Sequence, residues 1–113
     1  MARLDYVELP ASDIAATRGF YERAFGWTMM EFAPTYAATT TSDTNIGLQA
    51  DAAERPAAPL AVIQVDDLES VLTAVEAAGG IIVKPIRSFP GGRRFHFTDP
   101  SGNELAAWQV AAE

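Results

Sequence analysis

A single histidine, His96, stands in a chain of 113 residues that has no cysteine. Imidazole titrates at about pH 6.5, so His96 could serve as a general acid or base. It reads equally as a polar filler bonded to a neighbour. Glu8 and Glu104 lie on short alternating segments near the two ends of the chain. If folding brings them close they form an acid–base pair; apart, they are edge positions in water. Tyr6 and Trp108 could stack on a planar ligand, plug a cavity, or be covered by a partner subunit. Arg93 and Arg94 could hold an anionic group or flank a turn in solvent. Trp27 follows a helix stop and reads as core or dimer surface. With no thiol, disulfides, thiol catalysis and cysteine-based zinc sites are excluded.

The elements that must position these side chains repeat. Leu4 to Leu9 alternates and predicts a strand ended by Pro10, and Ser12 or Asp13 can cap a helix after it. Ile14, Thr17, Arg18, Tyr21 and Phe25 recur at helical spacing, widened by Phe20 and Ala24, up to a stop at Gly26. Strands follow over Trp27–Phe32, Tyr36–Thr40 and Ile46–Ala50. Residues 51–59 are rich in Ala, Pro and charge and read as a connector, too short to separate domains. Leu60 to Val65 is the next strand. Asp66 with Glu69 resembles a capping box, and Leu68, Val71, Leu72, Val75 and Ala78 predict a second helix, stopped by Gly79-Gly80. Ile81–Phe89 is a strand that Pro85 assigns to an edge or a bulge. Arg93–Thr98 and Glu104–Val110 close a hairpin around Asp99-Pro100-Ser101-Gly102-Asn103. Asp13 and Asp67, like Gly26 and Gly80, lie 54 residues apart. A shared offset at both ends of a unit indicates duplication. The expectation is an α+β fold: two βαβββ modules, about 1–50 and 60–113, forming one cup-shaped mixed sheet in a single domain, 1–113, with helices on the outer face.

Alternation then sorts the faces. Val7, Leu9, Ile46, Leu48, Phe95, Phe97, Leu105 and Ala107 should lie under the helices. Tyr6, Glu8, Gly47, Gln49, Gln64, Arg94, His96, Glu104 and Trp108 should face the open side. Apolar area with a few polar handles is what small-molecule pockets use. The net charge of −7 with no basic stripe argues against nucleic acid and anionic membranes. No apolar run is long enough to span a bilayer and no leader-like start is visible, so the expected location is cytoplasmic.

Glu8-Leu9-Pro10-Ala11-Ser12-Asp13, Gly19-Phe20-Tyr21-Glu22-Arg23-Ala24-Phe25-Gly26-Trp27 and Asp99-Pro100-Ser101-Gly102-Asn103 together resemble the vicinal oxygen chelate superfamily, which includes glyoxalase I, extradiol dioxygenases and bleomycin-resistance proteins. The resemblance covers nearly the whole chain. It implies two paired modules, usually within a homodimer, and in the family's enzymes a divalent metal. The position it gives to the first ligand, a histidine, holds Tyr6; the matching position in the second module holds Leu60; that of the closing glutamate holds Ala106. The remaining ligand falls near Gly47 or Gln49. Leu and Ala offer no lone pair, and a neutral Tyr is a poor ligand.

No cofactor is therefore expected. The leading reading is a module that binds a hydrophobic or aromatic small molecule without the family metal, through Tyr6, Glu8, Gln49, Gln64, Arg94, His96, Glu104 and Trp108. The alternatives are an enzyme of the lyase, isomerase or dioxygenase kind, either using His96 acid–base chemistry or holding a divalent metal on non-standard ligands such as Glu8, Gln49, His96 and Glu104. A protein whose cup is closed by packing also remains open.

Overall fold

Asp13 and Asp67 start the two helices. Each sits in extended backbone, with φ −147° and −137°, and turns its carboxylate onto an N–H of the first turn. The structure, a computed structural model, describes residues 2–112. Asp13 accepts from Ala16 N at 3.0 Å and opens α1 (Ile14–Phe25). Gly26 closes it at φ 70°, a left-handed conformation suited to a residue without Cβ. Asp67 accepts from Ser70 N at 3.1 Å and from Ser70 Oγ at 2.8 Å, opening α2 (Leu68–Ala77). The expected capping box of Asp66 with Glu69 does not form. With Asp67 as the cap, Glu69 falls one position short of the place from which it could reach back, and it pairs with Arg93 instead, Nη2 to Oε1 3.0 Å. The left-handed glycine after α2 is Gly79, at φ 99°, so the internal repeat runs one residue shorter at this end than the Gly26/Gly80 offset suggested.

The described residues divide into two units, Tyr6–Leu60 and 2–5 with 61–112. The first holds most of β1 (Arg3–Pro10) with β2 (Met30–Ala33), β3 (Tyr36–Ala38) and β4 (Asn45–Gln49), in the order β2-β3-β4-β1. β1 runs parallel to β4 and the other pairs are antiparallel. Its core is Ala11, Ile14, Met29, Ala37 and Leu48, with Leu9, Tyr21 and Ile46 packed around it. The strand expected over Trp27–Phe32 begins only at Met30. Trp27 instead stacks on Tyr21 at 5.6 Å and Phe25 at 5.2 Å, and Met29 N donates to Glu22 Oε2 at 3.2 Å, which keeps the segment out of the ladder. That stack also corrects the expected helix stripe. Ile14 is the buried residue of α1, Phe25 remains 60% exposed, and Arg18 turns to Glu22 and Glu31.

The second unit holds β5 (Leu60–Gln64, from Ala61 onward), β6 (Ile81–Phe89), β7 (Gly92–Thr98) and β8 (Glu104–Val110), in the order β5-β8-β7-β6. β5 and β8 are parallel; β8–β7 and β7–β6 are antiparallel. Pro85 lies on β6, the end strand, where the register shifts on either side of Lys84, so its missing N–H interrupts no central ladder. Asp99 organises the closing turn: its Oδ1 accepts from Ser101 N and Asn103 N, each at 2.9 Å, and Gly102 takes φ 84°. Val65, Leu68, Phe95 and Ala107 form the core against α2, joined by Val71, Leu72, Val75 and Phe97. Full burial of an aromatic such as Phe95 contributes about 1.5–3 kcal/mol. Each helix therefore covers one face of its own strands, in an α+β fold of two βαβββ modules. Among the described residues no helix is long and apolar enough to cross a membrane.

Candidate functional site

The β7–β8 register sets one face of the second unit. Arg94 lies opposite Trp108, His96 opposite Ala106, and Thr98 opposite Glu104. The parallel β5–β8 pairing puts Gln64 beside Trp108 and Val62 beside Ala106. Phe95 and Ala107, one residue out of phase, go to the core under α2. Five of the expected site residues thus share a face: Gln64, Arg94, His96, Glu104 and Trp108.

His96 is buried, with 2% of its surface exposed. Its Nδ1 lies 2.8 Å from Glu104 Oε2, a diagonal cross-strand pair. A carboxylate only accepts, so Nδ1 carries the proton and the neutral ring keeps its lone pair on Nε2. That nitrogen is buried and has no hydrogen-bond partner among the described residues. Burial holds the His96 pKa below its ordinary value; the Glu104 bond opposes the shift, and the positive charges of Arg94 and Lys84 add to it. Lys84 reaches this list because it pairs with His96 across β6 and β7. That neighbour was not legible beforehand, since the register shifts around Lys84 decide it.

Trp108 donates from Nε1 to Asp5 Oδ1 at 3.0 Å. Its ring lies 6.2 Å from that of Phe89, and the Arg94 guanidinium stands 5.9 Å above the Phe89 ring. Gln64 Oε1 is 3.5 Å from Arg3 Nη2. Arg93, one residue out of phase with Arg94, pairs with Glu69 on the other side of the strand.

In the first unit, the Tyr6 and Tyr36 hydroxyls are hydrogen-bonded to each other. They lie over Gly47, where a Cβ would collide with both. Tyr36 had not been singled out; it arrives through the β3–β4 pairing. Glu8 pairs with Gly47 along β1 and β4 and is 2% exposed, so the reading of Glu8 as a solvated edge residue does not hold. Its strand is paired with β4, where its neighbour is a glycine, so it is not an edge position in water. Glu104, in contrast, keeps 43% of its side chain exposed. Gln49 uses its Oε1 to accept from Asp51 N at 3.0 Å, fastening the start of the connector. An open pocket of about 290 Å³ in this unit is lined by Val7, Trp27, Ile46, Thr39 and Asn45 among others. None of the expected ligand-contacting residues lines it, because Val7 and Ile46 belong to the opposite strand face.

The residues at the family's metal positions do not fit a divalent ion. Leu60 and Ala106 are 2% and 0% exposed and carry no donor atom, while the Tyr6 hydroxyl is engaged by Tyr36. Among the described residues no group of three or more His, Cys, Asp or Glu is placed to hold a metal.

A family model described as the Glyoxalase/Bleomycin resistance protein/Dioxygenase superfamily matches residues 3–107. The chain belongs to this superfamily. Among its relatives, CFP32 of Mycobacterium tuberculosis, provisionally named a glyoxylase, is 28% identical over 94% of this chain and 45% of its own length. The anthracycline biosynthesis protein DnrV of Streptomyces peucetius is 27% identical over 92% of this chain and 46% of its own length. The chain therefore spans about half the length of the curated relatives it matches. Solved superfamily structures share the fold. The methylmalonyl-CoA epimerase of Mycobacterium tuberculosis superposes with a TM-score of 0.76 at 17% identity, over 96% of this chain and 88% of its own. The Mn(II)-bound glyoxalase of Novosphingobium aromaticivorans gives 0.71 at 20% identity, over 98% of this chain and 41% of its own.

Proposed function

We propose that this superfamily member binds a hydrophobic or aromatic small molecule and does so without the family's divalent metal. One observation carries the reading: the family's ligand positions hold Tyr6, Leu60 and Ala106, two of them buried and without a donor atom. The scaffold of the superfamily is present while the donor set of its metal enzymes is not. The aromatic face of Trp108, with Phe89 beside it, and the polar handles His96, Gln64 and Arg94 supply the mixture that small-molecule sites use. The relative DnrV, named for anthracycline biosynthesis, favours an aromatic ligand. A homodimer belongs to the same reading. Phe20, Phe25, Met30 and Phe32 leave apolar surface exposed that a second copy would cover, and sedimentation should give twice the 12.1 kDa chain mass.

Elemental analysis of untagged protein purified without chelator tests the metal half of the proposal. The expected result is no stoichiometric Zn, Ni, Fe or Mn, and no rise in Tm on adding these ions. One bound equivalent overturns it. A thermal-shift and fluorescence screen against aromatic metabolites and antibiotics tests the other half, and a screen without a single binder overturns that.

A further inference from the structure

We infer that His96 Nε2 is the hydrogen-bond acceptor that reads a hydroxyl or N–H donor on the bound molecule, with Glu104 as the positioning residue. The inference rests on the small-molecule reading above and names the chemistry its ligand must carry.

Most buried side-chain nitrogens have a hydrogen-bond partner, so a histidine that serves packing alone ordinarily has both of its own bonded. His96 does not. Nδ1 is committed to Glu104 at 2.8 Å, and Nε2 is the buried side-chain atom left without a partner among the described residues. An unpaired buried acceptor costs free energy unless something supplies a donor. Protonating the ring offers no escape, because it would leave an unpaired N–H and add a third positive charge beside Lys84 and Arg94. Glu104 fixes the tautomer, so the free lone pair is always on the inner nitrogen. What satisfies that nitrogen must donate. A neutral or anionic donor suits it, since Lys84 and Arg94 both bear on His96 as positive charges. Phenols, enols and aromatic N–H compounds meet these terms; quaternary ammonium compounds do not. Because the nitrogen is covered, the ligand reaches it by displacing side chains.

The chain has one histidine, so both imidazole nitrogens can be assigned by ¹⁵N NMR without ambiguity. Phenol and anisole are the probes: the same ring, with and without a donor. The free protein should show the Nδ1–H tautomer. Phenol should move the Nε2 resonance and bind at least about tenfold more tightly than anisole, the worth of one hydrogen bond to a buried acceptor. His96→Phe, with its fold checked by circular dichroism, should bind both rings alike. Glu104→Gln should lose tautomer purity and part of the phenol preference. An Nε2–H tautomer in the free protein overturns the inference. So does equal binding of phenol and anisole with a silent Nε2, a result that leaves the binding reading standing. If neither probe binds by tryptophan fluorescence, the inference falls, and the broader screen above decides the binding reading.

Discussion

The indole of Trp108 donates to the carboxylate of Asp5 across 3.0 Å, joining residues 103 positions apart in the chain. Asp5 is nearly enclosed, at 9% exposure, so this donor satisfies a carboxylate with little access to water. Trp108→Phe keeps an aromatic ring but removes the N–H together with part of the indole. It should lower stability by about 1–3 kcal/mol. Asp5→Ala in the same background should cost less than it does alone, with a coupling of about 1 kcal/mol in urea titrations of the four-member cycle. Additive costs would show that the bond contributes nothing.

Gly47 sits beneath the Tyr6 and Tyr36 hydroxyls with β-strands on both sides, so a Cβ there forces the two half-buried rings to shift. Gly47→Ala should destabilise by about 1–3 kcal/mol through overpacking. Tyr6→Phe, which removes one colliding hydroxyl, should recover part of that loss. Chemical denaturation of the three variants decides the point, and full stability in Gly47→Ala would contradict the close approach.

His96 should make stability fall as the solution is acidified. Its folded pKa is depressed, first by burial and then by Arg94 and Lys84, against an unfolded value of about 6.5. Above that pH both states are neutral at this site and its contribution is complete. Below it the unfolded chain binds a proton that the folded chain refuses, so stability drops until the pH passes the folded value. His96→Gln should flatten the curve below about pH 6.5, the unfolded value. Asp67, held low first by the Ser70 N–H, and Asp99, held low first by the Asn103 amide, act in the same direction at lower pH. An unchanged slope in His96→Gln would assign the whole acid response to such carboxylates.

Asp67 caps α2, while Glu69 makes an exposed pair with Arg93. Asp67→Ala should lower Tm clearly, because it leaves first-turn N–H groups without an acceptor. Glu69→Gln should move it less, since solvent screens an exposed ion pair. The reverse order in differential scanning calorimetry would restore Glu69 to the capping role.

Local chemistry made much of the fold legible in the sequence. Pro10, Asp13, Gly26, Pro85 and the Asp99–Asn103 turn act over a few residues, and each stands where its backbone preference placed it. The alternation of β7 and β8 likewise separated Phe95 and Ala107 from Arg94, His96 and Trp108. Near misses lay where two local choices compete closely: Asp66 or Asp67 as the cap, Gly79 or Gly80 as the counterpart of Gly26 in the repeat, and Trp27 in a strand or on an aromatic stack.

What the sequence by itself determined was the repeated α+β plan and the family, both matters of residue type and spacing, and which residues, Tyr6, Leu60 and Ala106, stand where the resemblance implies metal ligands. Only the tertiary structure decided that Glu8 is buried, that His96 meets Glu104 diagonally, that Lys84 bears on the ring, and that Nε2 has no partner. Those facts depend on strand register and on which side chains close over an atom. Register is a contest among pairings distant in sequence, which no short stretch of residues can settle.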